Sequence, residues 1–460
     1  MEMIAKNKKE LIEYCLNNKV QVLNFHYCGT DTHLKTMSFV IRDRRHLENI
    51  LEAGERVDGS SLFPFIEAGR SDLYVIPVYK TAFRNPFSEV PAVDVLCQFF
   101  DRDGKPYENS SRYILAKAAK YFTEQTGLQM QAMGELEYYV IAPEQSLYPV
   151  QEQKGYHESA PFSKFEDLRI EAMRLITEAG GKVKYGHSEV GNFVREGMLY
   201  EQNEIEFTPD NIEDAADQLV IAQWIMKQLA WRRGVTISFE PKLSVGEAGS
   251  GLHIHCKFTR DGKPVMTESG ELTSIARKAI AGLMDLGTSL PAWGNPSVNS
   301  YQRLVPNQEA PTSLCWSFSN RSALVRVPLG WTSPVDMAAT ANPGDKAACS
   351  DFAWKQTFEW RASDATADVY LLMAALCCAA RHGICSLSDA ESVAERTYVD
   401  IGVNIHDADN KELKEALEQL PADMAGAAAE LEKDRTAYSC GGVFPDSLID
   451  YQILTLENNL

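Results

Sequence analysis

The sequence predicts an α+β protein with at least two domains. The chain has 460 residues and a mass of 51.3 kDa, which is two to three times the size of an ordinary single domain. Hydrophobic residues make up 45% of the chain and charged residues 24%, a composition typical of globular proteins rather than disordered or fibrous ones. Predicted strands and helices follow one another without the regular alternation of a doubly wound sheet, and this order favours the α+β class.

The first hundred residues have the pattern of a small mixed domain. Apolar residues recur at helical spacing over residues 6–17, which predicts a helix there. Strands are predicted over residues 20–26, 36–41 and 72–77. The cluster of Asp, Gly, Lys and Pro at residues 101–106 predicts a turn between domains. We therefore predict an N-terminal domain over residues 1–103 and a second domain over residues 104–460.

The second domain is predicted to hold most of the helices and strands. Its predicted helices cover residues 111–125, 165–178, 212–232, 271–286, 367–382 and 410–420. Its predicted strands cover residues 129–141, 205–208, 235–239, 252–258 and 357–362. The helix at 111–125 is amphipathic, and Gly127 is placed to end it. The Ala-rich residues 425–429 predict a helix-forming segment at the surface.

The net charge argues against polyanionic partners. Lys and Arg number 45 and Asp and Glu number 64, so the formal charge is −19 at pH 7. A chain this acidic has no general electrostatic attraction for nucleic acid or an anionic membrane, and we expect neither as a partner. Nucleotide binding stays compatible with this charge, because local cations and bound metal ions hold phosphate against the global sign.

Cysteine spacing and hydropathy favour the cytoplasm. None of the ten cysteines has C-x-x-C spacing, so we expect reduced and mostly buried thiols. The N-terminus has charges every few residues and lacks the apolar core of a secretory signal. The longest apolar stretch, residues 369–380, is too short to cross a bilayer and is followed by Arg381. We therefore expect a soluble, cytoplasmic protein.

Four predicted strands each place two charged or metal-binding side chains on one face, because residues i and i+2 of a strand point the same way. The pairs are Glu135 with Glu137, Glu204 with Glu206, His253 with His255, and Glu359 with Arg361. One interpretation is that each pair is the solvated face of an antiparallel sheet. However, Glu-x-Glu pairs repel and Glu is a poor strand former, so their repetition favours divalent cations above that face.

The candidate ligands favour a hard cation that prefers oxygen. Five carboxylates and one imidazole suit Mg²⁺ or Mn²⁺ better than zinc, which prefers sulfur and nitrogen ligands. The carboxylates belong to Glu135, Glu137, Glu189, Glu204 and Glu359. The second half of the chain adds the arginines Arg303, Arg321, Arg326 and Arg361. Metal ions beside clustered Arg side chains are typical of sites that catalyse phosphoryl transfer. The sequence contains no G-x-x-x-x-G-K-[ST] loop, which is a common nucleotide-binding motif.

Seven motifs together resemble those of the glutamine synthetase family, and they occur in the family order between residues 58 and 361. They are Asp-Gly-Ser-Ser at 58–61, Gly-Glu-Leu-Glu-Tyr-Tyr at 134–139, Glu-Gln-Asn-Glu-Ile at 201–205, Gly-Ser-Gly-Leu-His-Ile-His at 249–255, Asn-Ser-Tyr-Gln-Arg-Leu-Val-Pro-Asn-Gln-Glu-Ala-Pro at 299–311, Asn-Arg-Ser-Ala-Leu-Val-Arg-Val-Pro at 320–328 and Glu-Trp-Arg-Ala-Ser-Asp at 359–364. Each motif is weak alone, but seven in order are highly specific.

The resemblance implies a particular fold and assembly. It implies a small N-terminal β-grasp-like domain and a large catalytic domain with a curved antiparallel sheet backed by helices. In the family, the N-terminal domain of one subunit completes the active site of its neighbour. The resemblance therefore implies a homo-oligomer, arranged as stacked rings.

The resemblance also assigns ligands to two metal positions. One metal would be held by Glu137, Glu189 and Glu204. The other would be held by Glu135, His253 and Glu359, and would lie between the nucleotide phosphates. The implied cofactors are Mg²⁺ or Mn²⁺, two or three ions in number, with ATP as a substrate.

Further side chains would bind the substrates. The resemblance implies that His255 and Arg326 contact the nucleotide phosphates. Arg303 and Arg361 would grip the carboxylate groups of the amino-acid substrate, and the backbone at Gly249 would hold its amino end. The substrates implied are glutamate, ammonium and ATP.

The implied reaction has two steps. ATP phosphorylates the side-chain carboxylate of glutamate, with Arg321 stabilising charge on the transferred group, and ammonia then attacks the γ-glutamyl phosphate to form glutamine. Because ammonium is not a nucleophile at neutral pH, a base must remove a proton from it. The family's ammonium pocket maps onto Asp58, Ser61, Tyr156, Glu189 and Glu309. Asp58 would be the base, and Glu309 would close the pocket on a mobile loop.

Two other functions remain open at this point. A γ-glutamyl ligase for a primary amine or polyamine is one, because Ala248 stands where bacterial members usually have an Asn that helps to hold glutamate. A non-catalytic scaffold is the other, although such a protein should have lost metal ligands and all six candidates are present. Two insertions also depart from the family pattern, at residues 191–200, expected to enlarge a loop over the first metal, and at residues 331–354.

Overall fold

The computed structural model of the chain describes residues 4–305, 310–330, 337–345 and 352–458. The first part of the chain forms a six-stranded mixed sheet with the order β2-β1-β6-β4-β3, and β5 pairs with β6. Its strands are β1 (Val22–Cys28), β2 (Leu34–Val40), β3 (Glu55–Asp58), β4 (Asp72–Pro77), β5 (Phe83–Arg84) and β6 (Ala92–Phe100). Strands β1 and β6 run parallel, whereas the other neighbours are antiparallel.

Two helices cover this sheet, α1 (Lys8–Asn17) and α2 (Arg44–Ala53). Asn7 caps the first and Asp43 the second, each by accepting a backbone N–H bond from the first turn. The sequence patterns did not predict α2 or β6. In β6 almost every residue is buried, so the two-residue alternation that marks a half-exposed strand is missing.

The second sheet has ten strands, and its central order is β16-β17-β18-β12-β7-β9-β8. Its strands are β7 (Gln129–Pro143), β8 (Val183–Arg195), β9 (Met198–Phe207), β10 (Asp210–Asn211), β11 (Thr236–Ser238), β12 (Leu252–Arg260), β13 (Lys263–Pro264), β16 (Trp316–Phe318), β17 (Val325–Val327) and β18 (Phe358–Trp360). A separate ribbon pairs β14 (Thr267–Glu268) with β15 (Glu271–Leu272). Within the central order, all neighbours are antiparallel except β16 and β17.

Twelve α-helices are described in this part of the chain, and many of them pack against the second sheet or against one another. They are α3 (Ser111–Thr126), α4 (Glu166–Glu178), α5 (Ile212–Arg233), α6 (Ser274–Asp285), α7 (Pro291–Gly294), α8 (Val298–Arg303), α9 (Met337–Ala341), α10 (Val369–Cys385), α11 (Ala390–Arg396), α12 (Lys411–Ala416), α13 (Met424–Ser439) and α14 (Asp446–Glu457). The side chains of α10 are almost all buried, since α3, α5 and α6 surround it. The α+β class predicted from the sequence is confirmed.

Several predicted elements differ from those observed. Residues 191–200 do not enlarge a loop, because β8 and β9 pair through them as a hairpin whose turn is Glu196-Gly197, both with positive φ. The helix predicted over 271–286 begins only at Ser274, because Glu271–Leu272 pairs as β15 and Thr273 caps the helix. The segment 425–429 is helical as predicted but only partly at the surface: Ala425 and Ala429 on α13 are exposed, whereas Ala427 and Ala428 are fully buried.

The cysteines and the apolar helices can also be compared with what the sequence predicts. The cysteines in the described ranges form no disulfide, and most of them are buried. No single described helix is long and apolar enough to cross a membrane; α10 and α11 meet that requirement only as a pair, and they are bent by 112°. The division of the chain at residues 103 and 104 stays a prediction.

Helices α6 and α10 cross at two glycines that leave no room for a side chain. A Cβ atom on Gly282 would fall on the backbone oxygen of Ala379 and against the backbone of Gly383. A Cβ atom on Gly383 would fall on the backbone oxygen of Lys278. Because backbone atoms cannot swing aside as a flexible side chain can, this crossing fixes the distance between the two helices.

We predict that Gly282→Ala destabilises the protein by about 2 kcal/mol or more, since the added methyl group meets backbone in a packed core. Thermal unfolding followed by circular dichroism measures the effect. Gly402→Ala is the matched control, because nothing lies within 4 Å of a Cβ at that position, and its unfolding temperature should stay close to that of the parent. An unchanged unfolding temperature for Gly282→Ala would contradict the tight crossing.

Candidate active site

The register of four neighbouring strands brings the predicted site residues to one face of the second sheet. Opposite residues in an antiparallel pair point to the same side. His253 on β12 lies opposite Glu135 on β7, and His255 lies opposite Glu359 on β18. On the other side of β7, Glu204 on β9 lies opposite Glu137. The sheet therefore presents a block of acidic and imidazole groups in register.

A cavity of about 500 Å³ lies over this face. Most of the residues predicted from the sequence line it. They are Glu135, Glu137, Tyr156, Glu189, Glu204, Gly249, His253, His255, Arg303, Arg321, Arg326, Glu359 and Arg361. The residues come from several strands and from loops far apart in sequence, so only the folded sheet brings them together.

Glu135 is held between two imidazoles. His253 Nδ1 lies 2.9 Å from Glu135 Oε2, and His255 Nε2 lies 2.9 Å from Glu135 Oε1. Burial opposes ionisation of this carboxyl, but the charge of His255 and the hydrogen bonds from both imidazoles hold the pKa of Glu135 well below its usual range. Glu135 is therefore a carboxylate, the form that binds a cation.

Glu359 is buried between two arginines. Arg361 Nη1 donates to Glu359 Oε1 at 2.9 Å, and Arg326 Nη1 donates to Glu359 Oε2 at 2.9 Å. Burial opposes ionisation here too, but Arg361 lowers the pKa of Glu359 below its usual value. The predicted ligand triplet Glu135, His253 and Glu359 offers one ligand atom from each residue within 4.8 Å of the others.

The pKa of Glu204 is raised, whereas the pKa values of Glu135 and Glu359 are lowered. The side chain of Glu204 is 7% exposed. Burial and the neighbouring charges of Glu135, Glu137, Glu189 and Glu206 raise its pKa well above the usual range. A cation bound at this position would offset both the cost of burying the charge of Glu204 and the repulsion from the neighbouring carboxylates.

A second ligand triplet forms around Glu204. Within the described residues, His187, Glu189 and Glu204 each offer a ligand atom within 4.8 Å of the others. His187 was not predicted, although it is two residues from Glu189 on β8 and the same alternation that revealed the other pairs would have found it. Glu137 lies beside this triplet; its place in the ligand set stays a prediction.

The backbone orients Glu137. Gly251 N donates to Glu137 Oε2 at 2.6 Å, and Gln202 Nε2 approaches the same oxygen at 3.3 Å. Gln202 Nε2 also donates to the carbonyl of Gly249 at 2.9 Å. Gln202 is on the same face of β9 as Glu204, and it thereby ties the acidic block to the glycine segment. Gln202 lies within the motif at residues 201–205, but the sequence predicted no role for it.

Arg303 is held against the glycines of the 249–251 segment. It is 3% exposed and donates through Nη1 to the carbonyls of Ala362 at 2.8 Å and Ser363 at 3.2 Å. A Cβ on Gly249 would lie 2.5 Å from Pro241 O and 2.9 Å from Arg303 Cγ. Glycine at 249 is therefore required mainly by the close approach of the Pro241 carbonyl, with the Arg303 side chain packed beside it.

Tyr156 lies at the rim of the cavity in a row of aromatic rings. Residues 153–157 form a strap along the bulged part of β8, with Gly155 N bonded to Val190 O at 3.2 Å and His157 N bonded to Ser188 O at 2.9 Å. Ring centroids lie 4.1 Å apart for Tyr156 and His157 and 4.3 Å apart for His157 and His187. The rim beside the second triplet is thus aromatic.

Two of the predicted residues do not line this cavity, and a third lies outside the described residues. Asp58 and Ser61 are exposed at the end of β3, in the first sheet, and neither lines the cavity. Hydrogen bonds from Ser60 and Ser61 lower the pKa of Asp58, with Ser61 Oγ 2.9 Å from Asp58 Oδ2. Glu309 lies outside the described residues. The role of Asp58 and Ser61 in a neighbouring subunit stays a prediction.

Hydrogen bonds at the edges of the site hold Thr357, Ala248 and Glu201. Thr357 Oγ1 lies 2.9 Å from His255 Nδ1 and so fixes the ring that contacts Glu135. The methyl side chain of Ala248 offers no hydrogen bond, but its backbone is held by Tyr139 Oη, 2.8 Å from its carbonyl, and by Gln153 Oε1, 2.9 Å from its N–H. Glu201 points away from the cavity and accepts bonds from the backbone N–H groups of Lys164 and Phe165, just before α4.

The residues present fit hard divalent cations. Their donors are carboxylate oxygens and imidazole nitrogens, which suit Mg²⁺ or Mn²⁺. The two triplets, around Glu135 and around Glu204, share no residue. The raised pKa of Glu204 gives an independent sign of fit, since excess buried negative charge there lacks a cationic partner of matching strength.

Two family models match the chain. The glutamine synthetase catalytic domain matches residues 108–455, and the glutamine synthetase β-grasp domain matches residues 19–102. The second match bears out the β-grasp fold expected for the N-terminal region. The chain is also similar to curated glutamine synthetases. It is 27% identical to that of Mycobacterium tuberculosis, covering 99% of this chain and 96% of the relative, and 29% identical to that of Sulfolobus acidocaldarius, covering 94% and 91%.

Solved structures share the fold. A cryo-EM structure of Plasmodium falciparum glutamine synthetase has a TM-score of 0.79 and 20% identity, covering 100% of this chain and 96% of that one. A GmaS/ADP complex has a TM-score of 0.78 and 18% identity, covering 98% and 95%. At these identities the two structures show the fold alone.

We predict that Mn²⁺ added to chelator-treated protein raises its unfolding temperature, and that Glu204→Gln weakens this effect. Binding to the folded state stabilises it by about 2.7 kcal/mol when the cation is at 100 times its Kd, and the variant lacks one charged ligand. Differential scanning fluorimetry with and without Mn²⁺ measures both shifts. Glu178→Gln on the exposed face of α4 is the control and should respond as the parent does. Equal Mn²⁺ stabilisation of Glu204→Gln and the parent would exclude Glu204 as a ligand.

Proposed function

The chain belongs to the glutamine synthetase family, and from that premise we propose that it is a ligase that forms glutamine from glutamate and ammonia with ATP. Members of this family use ATP and divalent metal ions. The observation that supports the proposal is the single cavity in which six candidate metal ligands, Glu135, Glu137, Glu189, Glu204, His253 and Glu359, face four arginines. A scaffold that had lost catalysis would not need this arrangement.

The first proposed step makes γ-glutamyl phosphate. A γ-carboxylate oxygen of glutamate attacks the γ-phosphorus of ATP, and the bond to ADP breaks. Arg303 and Arg361 would hold the carboxylate groups of glutamate, His255 and Arg326 would contact the phosphates, and Arg321 would stabilise charge on the transferred group. Bound Mg²⁺ or Mn²⁺, held by the ligands above, would neutralise phosphate charge at this cavity.

The second proposed step forms the amide. Ammonia attacks the γ-carbonyl carbon, and phosphate leaves with the former carboxylate oxygen. Asp58 would accept the proton that ammonium must lose. The lowered pKa of Asp58 keeps it in the ionised form that can accept a proton, but it also makes Asp58 a weaker base. Since Asp58 and Ser61 do not line the cavity of their own chain, we propose that they complete the cavity of a neighbouring copy. We also propose that the enzyme is a homo-oligomer of stacked rings and that it acts in the cytoplasm.

A second candidate is a γ-glutamyl ligase for an organic primary amine. The ring of Tyr156, which lines the cavity beside the carboxylates, favours it, because the face of a tyrosine ring attracts alkylammonium groups. Ala248 also carries only a methyl group where bacterial members usually have an Asn that helps to hold glutamate. Ammonia remains the first candidate because Tyr156 and Glu189 of the ammonium pocket both line the cavity.

We predict that the purified protein releases phosphate from ATP only when glutamate and an amine are both present, and that ammonium gives the highest kcat/KM. Both substrates are needed because the acyl phosphate turns over only when a nucleophile consumes it. Phosphate release measured with ammonium, methylamine, putrescine and ethanolamine separates the two candidates. A clear preference for an organic amine would replace ammonia in the proposal, and phosphate release without glutamate would refute the ligase itself.

We predict that Glu137→Ala abolishes turnover, a loss of about 10³-fold or more, while the protein stays folded and assembled. The substitution removes a negative charge from the wall of the cavity and frees the Gly251 N–H that it accepts. Glu144→Ala is the matched control, because Glu144 follows the far end of the same strand, is exposed and does not line the cavity. Turnover retained in Glu137→Ala would defeat the role of this carboxylate.

A further inference from the structure

A second cavity, of about 210 Å³, lies where the first sheet meets the helices of the second part of the chain. The residues that line it belong to the turn between β1 and β2, to the loop after β3, to the starts of α3 and α10, and to α7 and α14. None of them lines the candidate active site. This junction cavity has room for a molecule of a few non-hydrogen atoms and is smaller than a typical site for a large cofactor.

The charged groups of the junction cavity are acidic. Asp31 and Asp368 line it, and no Lys, Arg or His among the described residues does. Asp31 is exposed and pairs with Lys35, whose Nζ lies 2.5 Å from Asp31 Oδ2. An acidic lining repels anions and attracts cations, and the net charge of −19 acts in the same direction. The chemistry of the lining therefore favours a cationic ligand.

Asp368 is fixed in place at the start of α10. Its Oδ1 accepts the backbone N–H groups of Tyr370 at 2.9 Å and Leu371 at 3.1 Å. Burial raises the pKa of Asp368 to about 6, although its hydrogen bonds oppose the rise, and no Lys, Arg or His among the described residues forms an ion pair with it. At pH 7 Asp368 is mostly a carboxylate. An ammonium group beside it would offset the cost of burying that charge.

The wall opposite in character is aromatic and carries an unused donor. Trp293 on α7 is 2% exposed, and its Nε1 is buried without a hydrogen-bond partner among the described residues. An indole N–H can only donate, so an acceptor oxygen in the cavity would satisfy it. Phe63 and Tyr451 add two further rings to the lining, and aromatic faces attract ammonium groups.

We propose that the junction cavity binds a small organic cation, a primary amine that also carries a hydroxyl group. The ammonium group would pair with Asp368, and the hydroxyl oxygen would accept the N–H of Trp293. The carbon chain between the two groups would pack against Phe63 and Tyr451. The site is separate from the candidate active site, and the amine that it binds is a ligand rather than the nucleophile of the proposed reaction.

The experiment titrates the full-length protein with 3-aminopropan-1-ol in a calorimeter, without ATP or glutamate. The parent should bind this amino alcohol. Butylamine, which lacks the hydroxyl group, should bind about tenfold more weakly, since it leaves the indole N–H unpaired. Butan-1-ol, which has a methyl group in place of the ammonium, and the anion 3-hydroxypropanoate should not bind. Failure of the parent to bind the amino alcohol, or equal binding of butan-1-ol, would overturn the proposal.

Three variants assign the binding to the junction cavity. Asp368→Asn should lose about tenfold or more in affinity, because it removes the charge while Asn still caps a helix. Asp43→Asn is the matched control, since Asp43 also caps a helix and does not line this cavity. Tyr156→Ala alters the candidate active site and should likewise keep the affinity of the parent. Unchanged affinity in Asp368→Asn, or a loss in Tyr156→Ala alone, would place the amine elsewhere and refute the site.

Hydrogen exchange locates the ligand even if Asp368→Asn does not fold. Thr30 and Phe63 both line the cavity; Thr30 N bonds to Leu62 O at 3.0 Å, and Phe63 N bonds to Gly59 O at 2.8 Å. The amino alcohol should slow exchange of the parent at residues 29–32 and 59–63. Slowing only around the candidate active site would refute the proposal. Neither measurement depends on phosphate release, so the junction cavity and the ligase are tested separately.

Discussion

The constraint on which the structure depends is the register between β7 and its neighbours. It sets Glu135 against Glu206 and Glu137 against Glu204 on two adjacent strands, so like charges face each other in pairs. On the other side of β7 the register sets His253 against Glu135. A one-residue slip of β7 against its neighbours would turn Glu135 and Glu137 toward the apolar layer on the other face. The acidic block therefore exists only because the opposite face is firmly packed.

The packing of that opposite face explains why the register holds. Leu136, Ile205, Leu252 and Trp360 alternate with the site residues on their strands and are all fully buried. Their burial against the helices contributes about 1.5–3 kcal/mol for each large side chain, enough to outweigh local repulsion on the other side. The close crossing at Gly282 brings α6 against α10 in the same layer. The scaffold thus stabilises a site that would be unfavourable without it.

The site itself divides into regions of different charge. Around Glu359 and Glu135, arginines and imidazoles already balance the carboxylates and keep their pKa values low. Around Glu204 the carboxylates outnumber their partners, and its pKa rises instead. At the edges of these regions Thr357 is hydrogen-bonded to His255, and the backbone of Ala248 is held by Gln153. Cation binding is therefore expected to matter most on the Glu204 side.

Local sequence patterns were enough to predict the α+β class, most helices and the alternating pairs on four strands, because periodicity and side-chain type are local properties. It did not reveal β6, which is buried on nearly all sides, or the ligand position of His187, or the hairpin formed by residues 191–200. Which strands are neighbours depends on the complete fold. The fold also places Glu206 opposite Glu135 and leaves Asp58 outside the cavity of its own chain. Pairing between distant strands depends on the whole core, which no local pattern encodes.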